Sequence, residues 1–207
     1  MLGHGLSQVE KGKDAIDETV THICKILQLE GFSKAHIVGV SMGSLIAQYF
    51  AFLYPEKIAS LTVLGGYNIH ADNRDVAKAQ RGEQLKWIFK ALFSMDLFRR
   101  YVAKFSVSNV EEQEKFYNMA QNFTRKSFIA MSGLGKILRK RDDITISYPL
   151  MLLCGENDIE LAKNSCKKWH KSELHSIYFE ILSAGHCANM DNANMFNDTL
   201  MKFLKQN

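Results

Sequence analysis

Ser41 lies in a sequence context suited to nucleophilic chemistry. It is the centre of a Gly-x-Ser-x-Gly pattern that follows the apolar run Ala35–Val40 and precedes a run of helix-forming residues. A serine hydroxyl reacts poorly in water, so an enzyme must present it on a sharp turn and place a base beside it. We expect Gly39 and Gly43 to permit the close backbone approach that such a turn needs. The N–H of Met42, at the start of the following helix, is the predicted oxyanion donor.

Two later loops carry side chains suited to complete this site. Asp158 follows the third strand-like run of the chain, and Gly185-His186 follows the fourth. The order serine, aspartate, histidine, with each residue after a strand, is typical of one arrangement of the catalytic triad. We therefore predict Ser41 as the nucleophile, His186 as general base and then general acid, and Asp158 as the residue that orients the imidazole.

The aspartate and histidine assignments have competitors in the sequence. Glu156 and Glu160 lie in the same loop as Asp158, which we prefer to both. The remaining histidines lack the glycine-preceded context of His186. We predict that these residues are structural or exposed: His4, His22, His36, His70, His170 and His175.

Apolar patterning places these loops between alternating strands and helices. Strands are predicted at residues 35–40, 60–64, 149–154 and 176–182, and helices at 14–30, 42–53 and 193–204. This alternation predicts an α/β fold with a mostly parallel sheet flanked by helices.

Strand patterns vanish between residues 67 and 146. The sequence there predicts only amphipathic helices, at about residues 76–93, 96–105, 110–123 and 124–138. Because α/β sheets bind ligands at the carboxyl ends of their strands, we expect residues 67–146 to be a helical lid over those ends. Residues 1–66 and 147–207 would then form the core.

Composition excludes several classes of protein. A chain of 207 residues with 46% hydrophobic content can bury one sizeable core, and its net charge of +4 is too mild and dispersed to imply nucleic acid. The four cysteines show no metal-ligand spacing and demand no oxidising compartment. Residues 35–55 lack charged side chains, but their switch from strand formers to helix formers argues against a membrane span. With no signal-peptide pattern, we expect a cytoplasmic protein that needs no metal or cofactor.

Four motifs in the same order resemble those of the α/β-hydrolase superfamily, in the branch with a helical lid. They are Gly3-His4-Gly5-Leu6-Ser7, the nucleophile elbow around Ser41, the acid loop that ends at Asp158, and Gly185-His186 followed by Phe196-Asn197. The resemblance runs over essentially the whole chain. It implies an α/β-hydrolase fold and a triad of Ser41, Asp158 and His186.

The beginning of the chain departs from the family pattern. In the family, four strands precede the loop that Gly3-His4-Gly5 resembles, and the loop after the third of them supplies a second oxyanion donor. Only the Met42 N–H is therefore assigned here. We expect the chain to lack the family's first strands, as a fragment or through a misplaced start. Strand 35–40 would then have an open edge, through which two copies could form a homodimer.

The function that these expectations support is hydrolysis of an ester or related acyl bond in a small, apolar substrate. An acyl-enzyme would form on Ser41 and water activated by His186 would release it. The triad also resembles that of carbon–carbon bond hydrolases, lactonases and thioesterases, so these reactions are alternatives within the enzyme class. A non-catalytic, ligand-binding member of the fold is the alternative from a different class.

Overall fold

The computed structural model describes residues 1–8 and 14–207. The strands are β1 (Ala35–Val40), β2 (Ile58–Leu64), β3 (Leu150–Gly155) and β4 (Ile177–Ile181). The helices are α1 (Ala15–Leu29), α2 (Met42–Leu53), α3 (Arg74–Phe93), α4 (Met95–Ser106), α5 (Val110–Met119), α6 (Arg125–Met131), α7 (Glu160–Ser172), α8 (Ala188–Asp191) and α9 (Ala193–Lys205). Short 3-10 segments cover Pro55–Lys57, Ala120–Asn122 and Ser132–Ile137.

The four strands form one sheet in the order β1-β2-β3-β4, and each neighbouring pair is parallel. The register aligns Val40 with Leu64 and Leu64 with Leu153, so the strands end at a common edge. Helices flank this sheet, and the predicted α/β fold is confirmed. Since the carboxyl ends of the strands share an edge, the loops that follow them are brought together there.

The central strands of the sheet, β2 and β3, are buried on both faces. Every residue of β3 is buried, which explains why its sequence is a continuous apolar run rather than an alternating one. Leu150 and Leu152 point into a layer that contains Phe50 of α2. Met151 and Leu153 point into the opposite layer with Phe203 of α9.

One edge of the sheet is open in the described part of the chain. There β1 pairs on one side only, with β2. Val38 in the middle of β1 is 41% exposed, although β2 and β3 beside it are buried. Pairing of two copies along this edge stays a prediction.

The two ends of the helical segment between β2 and β3, called here the insertion, are hydrogen-bonded to each other. The Arg139 N–H donates to the Ile69 carbonyl at 3.1 Å, and the Arg141 N–H donates to the His70 carbonyl at 2.9 Å. The chain therefore passes through helices α3 to α6 and returns to the place where it entered them.

The helix bounds differ from the sequence prediction in two respects. The predicted helices at residues 110–123 and 124–138 are each an α-helix that ends early and continues as a 3-10 segment. Helices α7 and α8 were not predicted. The buried residues Ala162, Cys166 and Trp169 of α7 recur at intervals of four and three, so the sequence did contain a signal for this helix. Helix α8 has only four residues, too few for a periodic pattern.

Candidate active site

Ser41 occupies the sharp turn between β1 and α2. Its backbone has φ 50° and ψ −119°, in a region that non-glycine residues rarely adopt and that costs about 1–3 kcal/mol. Hydrogen bonds from both the N–H and the carbonyl of Ser41 stabilise this conformation. The Ser41 N–H donates to the Leu64 carbonyl at 2.8 Å, and the Ser41 carbonyl accepts from the N–H and hydroxyl of Ser44 at 2.9 and 2.6 Å. The turn therefore presents the Ser41 side chain at the carboxyl edge of the sheet.

The two glycines of the motif are not equivalent. A Cβ on Gly39 would lie 2.4 Å from the Ser44 Cα and 2.7 Å from the Gly43 carbonyl oxygen, so this position requires glycine. A Cβ on Gly43 would have no described atom within 4 Å. The prediction that Gly43 gives clearance is wrong for the described residues, because Gly43 lies in the first turn of α2 and faces open space.

The structure brings the three predicted side chains into one hydrogen-bonded chain. The Ser41 Oγ lies 2.8 Å from the His186 Nε2, and the His186 Nδ1 lies 2.9 Å from the Asp158 Oδ1. A carboxylate can only accept, so Nδ1 carries the proton and Nε2 accepts from the Ser41 hydroxyl. The Asp158 side chain is fully buried and that of His186 is 10% exposed, which keeps water away from the Nδ1–H···O bond.

The two alternatives to Asp158 point elsewhere. The Glu156 carboxylate accepts from the Ser183 N–H at 2.8 Å, and Glu160 pairs with Lys163 at 2.6 Å. Of the three acidic residues in this loop, Asp158 is therefore the one bonded to the imidazole.

Close backbone packing fixes the acid loop against the histidine loop. The Asn157 N–H donates to the Ala184 carbonyl at 2.8 Å. A Cβ on Gly155 would lie 2.1 Å from the Gly185 carbonyl oxygen, so only glycine fits. The Asp158 Oδ1 also accepts from the Ile159 N–H at 2.7 Å, which aims the carboxylate at the imidazole.

Gly65, in the loop after β2, packs against the imidazole. It has φ +61°, and a Cβ there would lie 2.9 Å from the His186 Cε1. Its N–H donates to the Leu153 carbonyl at 2.9 Å. A side chain at this position would displace the ring from Ser41, so the loops after all four strands contribute to the site.

Asp191 joins the histidine loop to the insertion, a role that the sequence did not reveal. Its carboxylate accepts from the N–H of Gly185 at 2.7 Å, of Ser108 at 3.0 Å and of Asn109 at 2.9 Å. One side chain thus ties the residue before His186 to the turn between α4 and α5. The only local sign of this role in the sequence is that Asp191 lies five residues after His186.

Two further contacts bring α4 to the histidine. The Phe105 ring centroid lies 6.3 Å from that of His186, and the Cys187 N–H donates to the Ser106 carbonyl at 2.7 Å. Burial raises the pKa of the Cys187 thiol to about 12, so the cysteine beside the histidine stays protonated and unreactive at neutral pH.

Met42 is the first residue of α2 and its N–H has no intrahelical acceptor. Its role as the oxyanion donor stays a prediction. The loop at Gly3-His4-Gly5 contacts α1 and the helical segment between β2 and β3: the Leu2 N–H donates to the Thr19 hydroxyl at 3.1 Å, and the His4 ring contacts Phe123.

Within the described ranges, no group of three acidic, histidine or cysteine side chains is arranged to hold a metal ion. No helix of those ranges combines the length and the hydropathy of a transmembrane span.

The chain belongs to the alpha/beta hydrolase fold family, whose family model matches residues 1–193. This agrees with the parallel sheet, the elbow and the order of the site residues. Among solved structures, an esterase from Exiguobacterium antarcticum superimposes with a TM-score of 0.78 at 16% identity, over 99% of this chain and 79% of that one. That likeness shows the fold.

Curated relatives are distant and longer than this chain. The dihydrolipoyllysine-residue acetyltransferase component of an acetoin cleaving system from Pseudomonas putida is 22% identical, over 99% of this chain and 54% of the relative. A 2-hydroxy-6-oxononadienedioate/2-hydroxy-6-oxononatrienedioate hydrolase from Pseudomonas sp is 25% identical, over 84% of this chain and 64% of the relative. The chain thus spans about half to two thirds of these two proteins.

Proposed function

We propose that this protein is a serine hydrolase that cleaves an ester or related acyl bond of a small apolar substrate. The observation that carries the proposal is the continuous chain from the Ser41 Oγ through the imidazole of His186 to the buried carboxylate of Asp158. A hydroxyl bonded to an imidazole nitrogen that lacks a proton is poised to lose its own proton.

The geometry supports a two-step reaction. As the Ser41 Oγ forms a bond to the substrate carbonyl carbon, its proton moves to the His186 Nε2 and the carbonyl oxygen gains negative charge. The Met42 N–H stabilises that oxygen, and the Asp158 carboxylate stabilises the imidazolium. The imidazolium then protonates the leaving alkoxide, which leaves an acyl group on Ser41.

Hydrolysis of the acyl-enzyme reverses these roles. His186 takes a proton from water, the hydroxide forms a bond to the acyl carbon, and the proton returns to the Ser41 Oγ as the acid leaves. Each proton that His186 accepts is one that it later donates, so the site ends as it began.

We further propose that residues 67–146 act as a lid that shapes the substrate site. Phe105 of this insertion already lies against His186, Trp87 packs against Phe105, and Phe98 packs against Trp87. An aromatic surface beside the nucleophile favours an apolar acyl or alcohol group over a charged one.

Turnover of a short p-nitrophenyl ester tests the proposal. We expect hydrolysis that is lost in Ser41→Ala and reduced in Asp158→Asn, while Ser172→Ala on the remote helix α7 stays at the level of the unmodified chain. Turnover by the unmodified chain no faster than by Ser41→Ala would reject the proposal, and turnover no faster than in buffer alone would favour the ligand-binding alternative.

Carbon–carbon bond hydrolysis is the second candidate. It is favoured by the similarity to the 2-hydroxy-6-oxononadienedioate/2-hydroxy-6-oxononatrienedioate hydrolase, which covers 84% of this chain. Release of an acid from such a dienedioate at a higher kcat/KM than from p-nitrophenyl esters would favour this reaction over ester cleavage. The lactonase and thioesterase alternatives are ranked by the same comparison with a lactone and a thioester.

A further inference from the structure

Helix α3 carries a large apolar surface that the fold leaves uncovered. Its residues recur at intervals of three and four, so they share one face of the helix. Each is between 43% and 77% exposed, and they are Leu85, Ile88, Phe89, Leu92 and Phe93. The rings of Phe89 and Phe93 stack on each other at 6.2 Å between centroids. Contiguous exposed apolar patches of this kind mark interaction surfaces.

The opposite face of α3 already has its packing partner. Trp87 contacts the rings of Phe98 and Phe105 in an edge-on geometry, and Ala91 is buried. The Tyr101 hydroxyl donates to the Glu83 carboxylate at 2.8 Å. The helix is thus apolar on two sides, and packing on α4 satisfies only one of them.

The uncovered face is positively charged toward its N-terminal end. Lys78 and Arg81 precede Leu85 at the same spacing of three and four, so they continue the same face, and both are exposed. Neither makes an ion pair within the described part of the chain. Of the acidic residues of the helix, Glu83 falls outside this spacing and is paired with Lys86, whereas Asp75 lies three residues before Lys78 on the same side. The exposed face therefore carries two cations against one carboxylate.

The charge of the whole insertion has the same sign. Residues 67–146 hold 15 Lys and Arg against 9 Asp and Glu, a net charge of +6. The remaining residues hold 11 Lys and Arg against 13 Asp and Glu, a net charge of −2. The positive charge of the chain is therefore concentrated in the insertion.

We propose that this surface, formed by Lys78, Arg81, Leu85, Ile88, Phe89, Leu92 and Phe93 and called here the outer face of α3, docks on an anionic lipid surface. A helix with an apolar stripe and cations on one exposed side lies in the membrane interface, with the stripe in the acyl region and the cations at the headgroups. A second copy is disfavoured, because it would offer this face the same excess of cations, whereas anionic headgroups neutralise them.

This docking does not depend on the chemistry proposed for Ser41. The test is sedimentation with vesicles of phosphatidylcholine alone or mixed with phosphatidylglycerol, at low and at high salt. We expect binding to the mixed vesicles that weakens at high salt, and equal binding by Ser41→Ala. The vesicle experiment can therefore reject the docking proposal without rejecting the proposed hydrolase activity, and the reverse holds for ester turnover.

Substitutions on the outer face separate its two parts. Phe89→Ser with Phe93→Ser should weaken binding at least about tenfold, because two large apolar side chains no longer enter the lipid. Lys78→Glu with Arg81→Glu should remove the preference for phosphatidylglycerol. Met201→Ser on α9, an exposed apolar residue outside this face, is the matched control and should bind unchanged.

Circular dichroism of each variant confirms that the helices are retained. Absence of binding to mixed vesicles, or equal binding to both kinds of vesicle, would overturn the proposal. So would a concentration-dependent dimer in sedimentation equilibrium that the Phe89→Ser and Phe93→Ser changes abolish, since the face would then belong to a second copy.

Discussion

Gly39→Ala and Gly43→Ala should have opposite consequences, although both positions belong to the same five-residue motif. At Gly39 the new Cβ would lie 2.4 Å from the Ser44 Cα and 2.7 Å from the Gly43 carbonyl oxygen, both rigid backbone atoms. Ordinary contacts begin near 3.4 Å, so the first turn of α2 must move by roughly 1 Å. Overpacking of this kind costs about 1–3 kcal/mol.

The same movement disrupts the site. The Ser41 Oγ lies 2.8 Å from the His186 Nε2, and a displacement of roughly 1 Å takes the pair beyond hydrogen-bond distance. Misplacement of a reacting group by this amount costs about 10²-fold in rate. Gly39→Ala should therefore lower both kcat and the unfolding midpoint temperature.

Gly43→Ala should be tolerated. The new Cβ would meet no described atom within 4 Å, and alanine favours a helix over glycine by about 0.5–1 kcal/mol. The assays are p-nitrophenyl ester turnover and thermal unfolding of both variants. Equal damage by the two substitutions, or an active Gly39→Ala protein, would refute the reasoning from backbone clearance.

Three further predictions concern the surroundings of the site. Asp191→Ala should lower the free energy of unfolding by about 2–3 kcal/mol and should also lower kcat, because three backbone N–H groups lose a charged acceptor. Asp191→Asn should give values between those of Asp191→Ala and the unmodified chain. Urea unfolding measures the first quantity and ester turnover the second. Iodoacetamide at pH 8 should modify the half-buried Cys24 before Cys187, whose pKa burial raises to about 12; mass spectrometry showing early Cys187 labelling would contradict this. Burial and a neighbouring guanidinium lower the pKa of His70 to about 4. Between pH 6.5 and pH 4 the unfolded chain therefore binds a proton at this histidine that the folded protein does not. The folded protein should lose stability as the pH falls through this range. This loss of stability is at most about 3 kcal/mol, and the partial exposure of the ring reduces it further. In urea titrations at several pH values, His70→Gln should remove the loss, whereas substitution of the exposed His175 by Gln should leave it unchanged.

The features that the sequence predicted well have local signals. The elbow is a contiguous motif, and the apolar runs that predict strands are continuous because a parallel sheet is covered on both faces. The acid and histidine loops could be located because each follows such a run. The sequence favoured Asp158 over Glu156, and the structure adds the physical reason, since the loop turns the Asp158 carboxylate toward His186 and the Glu156 carboxylate toward the Ser183 N–H.

The features that were missed depend on contacts between distant parts of the chain. Asp191 meets Ser108 and Asn109 across more than 80 residues, and no periodic pattern records that pairing. The error at Gly43 has the same origin, since the motif does not show which glycine faces the neighbouring backbone.

Labelling with a fluorophosphonate probe reports on the activation of Ser41 itself, since the probe reacts with an activated serine and leaves a covalent adduct on it. We expect a single adduct on Ser41 in the native protein, lost in His186→Ala and strongly slowed in Asp158→Asn. An adduct on another serine, or labelling of Ser41 at an unchanged rate in His186→Ala, would contradict this activation.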